Sequence, residues 1–260
     1  MARSAYHAII LAKNEPAKKL GVKTAETIWQ ARKTYADNIR FYCFVQYLFD
    51  CQWEALKGYA HKNGISIIGD VPIYVPLDSA DVWSNPELFQ LDNDLNPEAV
   101  AGVPPDGFTE DGQLWGNPLY NWNEMKKDNY SWWMERLKNM FTLFDGVRID
   151  HFRAVESYWA VPATAETAKE GKWEIGPRQE LFDAIGAAFD EPPSIIAEDL
   201  GSFGEDVIAL LDSSGFPGMR VIQFGFDPNG DSTHLPHNYP MNCVAYVGTH
   251  DNNTLLGFLW

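Results

Sequence analysis

The sequence predicts an α/β fold in which parallel strands alternate with helices as part of a (β/α)8, TIM-type barrel. Helix-spaced apolar residues lead repeatedly into short apolar strands, and acids end four of the five strands. No glycine-rich phosphate loop of the form GxGxxG or GxxxxGK[ST] occurs. An open doubly wound sheet is the alternative, but it usually carries such a loop. In a barrel, the strands' carboxyl ends share one mouth where catalytic side chains collect.

The first unit is a helix predicted over 41–62, which Asn63 and Gly64 should end as a C-terminal cap. The strand at 65–70 (ISIIGD) follows and ends in Asp70. The pattern recurs with helices at 132–144, 180–189 and 205–212, and with strands at 145–150, 194–199, 219–224 and 242–251. Five strands are too few to close a barrel.

Residues 74–129 interrupt this rhythm. The segment is rich in Pro, Gly, Asn and Asp and has weak periodicity. Because long connections inside a domain are usually functional, it is predicted to be a lid or insert over the barrel mouth.

Composition limits the classes of partner. The 260 residues are 45% apolar and 22% charged, as in a folded protein. The net charge of −16 disfavours nucleic acid. No apolar run reaches the roughly 18 residues of a membrane span, and a cytoplasmic location is expected. The ten tryptophans indicate either a rich core or sugar binding, and the three cysteines are expected to be buried free thiols.

Acidic residues at strand ends suggest glycosidic-bond chemistry, which needs a proton-donating carboxylic acid and a second carboxylate. Asp150 and Glu198 end neighbouring predicted strands, and Asp251 ends a later one. Arg148 points to the same side of its strand as Asp150 and could hold it ionised by charge pairing.

Two other interpretations of these acids remain open. They could be helix caps or surface charges. The Asp150–His151 and His250–Asp251 pairs could also be metal ligands, although no HxxxH or HExxH spacing supports a metal, and none is predicted.

Several ordered motifs resemble those of the amylomaltases, relatives of the α-amylase clan. RIDHFR, IIAEDLG and GTHDN contain the three acids, and other motifs between about 38 and 260 match as well: GDVPIYV, DSADVW, GVPPDGF, QLWGNPLYNW and FPGMRVIQF. The resemblance implies a 4-α-glucanotransferase that moves α-1,4-glucan segments between maltodextrins by a retaining double displacement, with no cofactor. It also implies that the five strands are the third to seventh of the family barrel, with the insert between the third and fourth.

The resemblance also implies roles for individual residues. Asp150 would be the nucleophile, Glu198 the general acid/base, and Asp251 a stabiliser of the distorted donor sugar. The substrate-binding residues would be Asp70, Arg148 and His250 on the donor side, and Trp115, Asn117 and Asp106 in the lid segment.

The start of the chain departs from this family. Residues 8–33 resemble a segment of Y-family, DinB-type DNA polymerases, which predicts a foreign segment at 1–37 joined to a truncated amylomaltase barrel at 38–260. Polymerase chemistry is not expected, because its acidic motifs are missing. The alternative function is an inactive fragment that at most binds maltodextrin weakly.

Overall fold

The computed structural model describes residues 28–106, 109–201, 204–226 and 232–260. They fall into two units. The insert unit comprises the described chain up to Ser66, Tyr74–Trp132 and Tyr158–Glu174, and the parallel-sheet unit comprises Ile67–Ile73, Trp133–Ser157 and Ile175–Trp260. Most of the polymerase-like segment lies outside the described residues.

The helices are α1 (Ile28–Thr34), α2 (Ala36–Lys62), α3 (Ala80–Ser84), α4 (Trp122–Lys126), α5 (Ser131–Leu143), α6 (Gln179–Ala188), α7 (Glu205–Ser214) and α8 (Leu255–Leu259). The strands are β1 (Ile68–Pro72), β2 (Ala99–Val103), β3 (Gln113–Pro118), β4 (Gly146–Asp150), β5 (Ser157–Pro162), β6 (Lys172–Ile175), β7 (Ile195–Ala197), β8 (Gly218–Val221) and β9 (Cys243–Tyr246).

The predicted helix–strand alternation is found in the parallel-sheet unit. Strands β1, β4 and β7 pair in parallel in that order, and β8 pairs in parallel with β9. Each of the five predicted strands is present, with shifted ends. Two shifts are corrections: β8 stops at Val221 and continues as a 3₁₀ turn, and β9 stops at Tyr246. Asp251 therefore lies in a turn five residues beyond its strand, and does not end it.

The β1–β4 pair is fixed at its start by Asp145. Its backbone N–H donates to Ile67 O at 2.8 Å, and its carboxylate accepts from Ile67 N at 2.8 Å. Gly69 lies against the Phe144 ring, so close that a Cβ would sit 2.2 Å from a ring carbon. In the same unit, Leu137 of α5 and Val147 of β4 are completely buried. These contacts fix the register that pairs Asp70 with Arg148.

The insert unit contains an antiparallel sheet in the order β3-β2-β5-β6. Part of it comes from the predicted insert, which holds α3, β2, β3 and α4. The other part, β5 and β6, follows β4 in the chain and was not predicted. Strand β2 (AVAGV) gave little signal because Ala and Gly are poor strand formers.

Aromatic side chains form the centre of the insert unit. Tyr120 is almost completely buried, and its ring lies 5.8 Å from Tyr74, 5.4 Å from Phe89 and 4.9 Å from Trp122. Burial, together with the neighbouring tyrosines Tyr120 and Tyr158, raises the pKa of Tyr74 well above its usual value. Much of the aromatic content therefore serves packing.

Helix α2 ends at Lys62, as Asn63 and Gly64 predicted. It crosses the predicted 37/38 boundary without a break. Only Ala60 is buried along it, and the exposed large apolar residues are Ile39, Phe41, Tyr42, Phe44, Val45, Tyr47, Leu48, Phe49, Leu56 and Tyr59. The expectation of buried cysteines was wrong for Cys43 and Cys51, which are exposed on this helix. None of the described helices is long and apolar enough to cross a membrane.

Candidate active site

The carboxyl ends of β1, β4 and β7 bring four predicted site residues together. Asp70 lies on β1, Arg148 and Asp150 lie on β4, and Glu198 follows β7 directly. Parallel strands end at the same edge of a sheet, which brings these residues close together. Side chains alternate along a strand, so Arg148 and Asp150, two residues apart on β4, lie on one face. The Asp70–Arg148 pair in the β1–β4 register completes the group.

Arg148 is the centre of this group. Its Nη1 donates to Asp70 Oδ1 at 2.7 Å, and its Nη2 lies 2.6 Å from Asp150 Oδ1 and 4.0 Å from Glu198 Oε2. Burial alone would lower the pKa of this guanidinium, but the hydrogen bond that it donates to Asp70 and the charges of the three carboxylates raise it. Arg148 is therefore a fixed positive charge that orients the carboxylates.

The two candidate catalytic carboxylates have different surroundings. The Glu198 side chain is 10% exposed, whereas that of Asp150 is 43% exposed. Burial raises the pKa of Glu198, and the charge of Asp150 adds to this effect. Two backbone donors oppose it: His151 N at 2.8 Å from Oε2 and Leu200 N at 2.7 Å from Oε1. Glu198 is thus the carboxyl better suited to carry a proton.

His151 joins the end of β4 to Glu198. Its backbone is left-handed, with φ of 52° and ψ of 50°, which turns its N–H toward the Glu198 carboxylate. Burial, together with the charge of Arg153, lowers the pKa of the His151 imidazole to about 4. The imidazole is therefore neutral near pH 7.

Three residues beneath this group were not predicted as part of it. The Arg148 Nε donates to Met219 Sδ at 3.2 Å. The Asp199 carboxylate accepts from Met219 N at 2.6 Å and from Arg220 Nη1 at 2.8 Å. The sequence showed Asp199 as the second acid of the strand end at 194–199. Nothing in it indicated that a methionine sulfur would contact the arginine.

The structure does not join Asp251 and His250 to this group. They lie in the turn after β9, with side chains 79% and 75% exposed, and His250 Nε2 is 3.4 Å from Asp251 Oδ1. Thr249 Oγ1 accepts from Asp251 N at 3.3 Å. Their predicted roles stay predictions.

The remaining predicted substrate contacts lie in the insert unit. Trp115 of β3 is 37% exposed, its Nε1 donates to Gln113 Oε1 at 3.0 Å, and its ring lies 6.3 Å from Tyr74. Asn117 is half-buried on the same strand. Asp106 is exposed, and its carboxylate accepts from Thr109 N at 2.8 Å. Within the described ranges, no three His, Cys, Asp or Glu residues are grouped as metal ligands would be.

Comparison with known proteins identifies the family of the chain. A family model described as 4-alpha-glucanotransferase matches residues 12–260. This match includes most of the polymerase-like segment, so the polymerase resemblance has no support. The Clostridium butyricum 4-alpha-glucanotransferase is 46% identical over 93% of this chain and 50% of its own length. The Thermus thermophilus 4-alpha-glucanotransferase is 50% identical over 88% of this chain and 46% of its own length.

Solved structures agree as well. The Streptococcus agalactiae amylomaltase in complex with acarbose superposes with a TM-score of 0.87 at 42% identity, over 96% of this chain and 50% of its own. Corynebacterium glutamicum amylomaltase, at 24% identity and a TM-score of 0.71, shares the fold over 85% of this chain and 31% of its own. The chain spans about half the length of the curated relatives it matches. On the family match and these identities, the chain belongs to the 4-alpha-glucanotransferase family.

Proposed function

We propose that this chain carries the catalytic carboxylates of a 4-α-glucanotransferase, which transfers α-1,4-glucan segments between maltodextrins. The observation that supports it most is the grouping of Asp70, Asp150 and Glu198 around Arg148. Glu198, whose pKa is raised by burial, and the more exposed Asp150 beside it provide the acid and the second carboxylate that glycosidic cleavage needs.

The proposed reaction has two displacements. An Asp150 oxygen attacks the anomeric carbon of the donor sugar while Glu198 gives its proton to the departing glycosidic oxygen. The hydroxyl of an acceptor glucan then loses its proton to Glu198 and attacks the same carbon, which releases Asp150. Two inversions give net retention, and this route requires carboxyl groups about 5–5.5 Å apart.

The other substrate roles belong to the same proposal. Asp251 would stabilise the oxocarbenium-like transition state, and His250 would contact the donor sugar. Asp106, Trp115 and Asn117 would line the acceptor side. Because Trp115 would contact the acceptor glucan, Trp115→Ala should raise the KM for the acceptor more than it lowers kcat.

We also propose that the parallel strands are the third to seventh of a partial (β/α)8 barrel, with 74–129 as its lid. The parallel pairing of β1, β4 and β7 and the likeness to the Streptococcus agalactiae enzyme support this. The boundary between 1–37 and 38–260 stays a proposal about the origin of the sequence. It does not coincide with a structural boundary, because α2 runs through it.

The decisive experiment incubates purified protein with maltotriose and resolves the products by chain length. Transfer gives glucose and a ladder of longer maltodextrins, and Asp150→Asn and Glu198→Gln should each abolish it. Asp206→Asn is the matched control, because Asp206 is an exposed acid of the same unit in α7. A folded protein that yields no ladder would support the alternative, an inactive fragment with weak maltodextrin binding.

A further inference from the structure

The carboxylate of Asp199 has no role in the reaction described above, although it is one of four buried polar or charged residues in the described chain. Its side chain is 8% exposed and follows Glu198 directly. Since successive side chains of an extended segment point to opposite sides, Glu198 turns toward Arg148, and Asp199 turns toward β8.

Asp199 is bound at both carboxylate oxygens. Oδ1 accepts from Met219 N at 2.6 Å, and Oδ2 accepts from Arg220 Nη1 at 2.8 Å. The same Nη1 donates to Met219 O at 2.6 Å. Both backbone polar groups of Met219 are therefore held by one ion pair. A carboxylate with a charged partner and a backbone donor is a strong and directional anchor.

The space around this anchor is closed. A Cβ on Gly218 would lie 2.7 Å from Asp199 Oδ2, so the start of β8 runs directly against the carboxylate. His234, from the segment after β8, also faces this pair: its Nδ1 accepts from Val221 N at 3.1 Å, and the charges of Arg220 and Asp199 both act on its imidazole. The start of β8 can therefore lie this close to the Asp199 carboxylate only because position 218 is glycine.

The Met219 side chain leads from this anchor to the candidate active site. Its sulfur accepts the Arg148 Nε–H at 3.2 Å, and the residue is 2% exposed. Arg148 in turn contacts Asp70 and Asp150 and lies 4.0 Å from Glu198. The bonds thus continue from Arg220 through Asp199 and Met219 to the guanidinium at the centre of the site.

We propose that Asp199 is a positioning residue, which holds Met219 against Arg148 and thereby fixes the geometry of the Asp150–Glu198 pair. This rests on the proposed function only for its kinetic consequence. A displacement of about 1 Å at a catalytic group can cost on the order of 100-fold in rate. Asp199→Asn should therefore lower kcat about 10- to 100-fold and change the KM for maltotriose less than about threefold.

The test that does not depend on turnover follows the Arg148 Nε–H by NMR. The signal is assigned by its loss in Arg148→Lys, and its exchange with solvent is measured in wild type, Asp199→Asn and Asp212→Asn. Asp212 is an exposed acid of α7 and serves as the control. We expect exchange at least about tenfold faster in Asp199→Asn, because Met219 no longer covers the group, and within about twofold of wild type in the control.

Unchanged Nε–H exchange in a folded Asp199→Asn protein would overturn the proposal. If that variant does not fold, Arg220→Gln replaces it, since it removes both the ion pair that holds Asp199 in place and the hydrogen bond to Met219 O. It should accelerate exchange in the same direction, and an unchanged rate there would overturn the proposal equally. A wild-type protein without transfer activity refutes the proposed function instead, and the exchange rates still decide the role of Asp199.

Discussion

The partly buried imidazole of His151 should make the free energy of unfolding depend on pH, and one substitution should remove this dependence. The pKa of His151 falls from its ordinary value of 6.5 to about 4 in the folded protein, because burial and the charge of Arg153 disfavour the imidazolium. The folded value lies below the unfolded one. Stability is therefore fully present above pH 6.5 and is lost as the pH falls toward 4.

The size of the effect follows from that difference. Each unit of difference between the folded and unfolded pKa values corresponds to about 1.4 kcal/mol, so neutral His151 contributes about 3 kcal/mol to the free energy of unfolding. About 2 kcal/mol of it should be lost between pH 7 and pH 5. Glu198 acts in the opposite sense, because its raised pKa favours folding at low pH. The His151 effect is therefore best measured as a difference between two proteins.

The matched variant is His151→Asn. Asparagine accepts the left-handed backbone of this position more readily than most residues do, and it does not titrate. Urea unfolding at several pH values between 7 and 4.5 gives the free energy of unfolding of both proteins. The wild type should lose about 2 kcal/mol more than the variant by pH 5. Equal slopes in the two proteins would refute the reasoning.

Three further substitutions test the site and its support. Arg148→Gln should abolish transfer from maltotriose while the far-ultraviolet circular dichroism stays unchanged; retained activity would contradict the central role of the guanidinium. Leu137→Ala removes a completely buried side chain and should cost about 2–5 kcal/mol in urea unfolding. Gly218→Ala should cost about 1–3 kcal/mol, because its Cβ meets the Asp199 carboxylate. Ile208→Ala, at a 53% exposed position, is the control and should stay within about 0.5 kcal/mol.

The sequence predicted the parallel α/β part well because its signals there are local. Apolar strands such as 145–150, introduced by helices of regular spacing, identify themselves without knowledge of their neighbours. The antiparallel sheet was missed for the opposite reason. Strand β2 (AVAGV) has Ala or Gly at three of its five positions, so it gives little strand signal within a short window.

The sequence likewise predicted part of the candidate site. The grouping of Asp70, Arg148, Asp150 and Glu198 follows from strand ends that meet at one edge. Asp251 was expected to end its strand, but β9 stops at Tyr246, because the Gly248–Asn252 segment forms a turn in which Asn252 Oδ1 accepts from Thr249 N at 2.8 Å. The Met219 contact depends on side-chain packing and has no sequence signal.

The shared guanidinium also restricts how this site can change over generations. Asp70, Asp150 and Glu198 have Arg148 as a common counter-ion, so the effect of replacing one acid depends on which of the others are still present. Substitutions at these positions should be strongly epistatic, with single and double replacements far from additive. A lineage that alters one of them has few viable intermediate sequences, and the four positions should be kept or lost together.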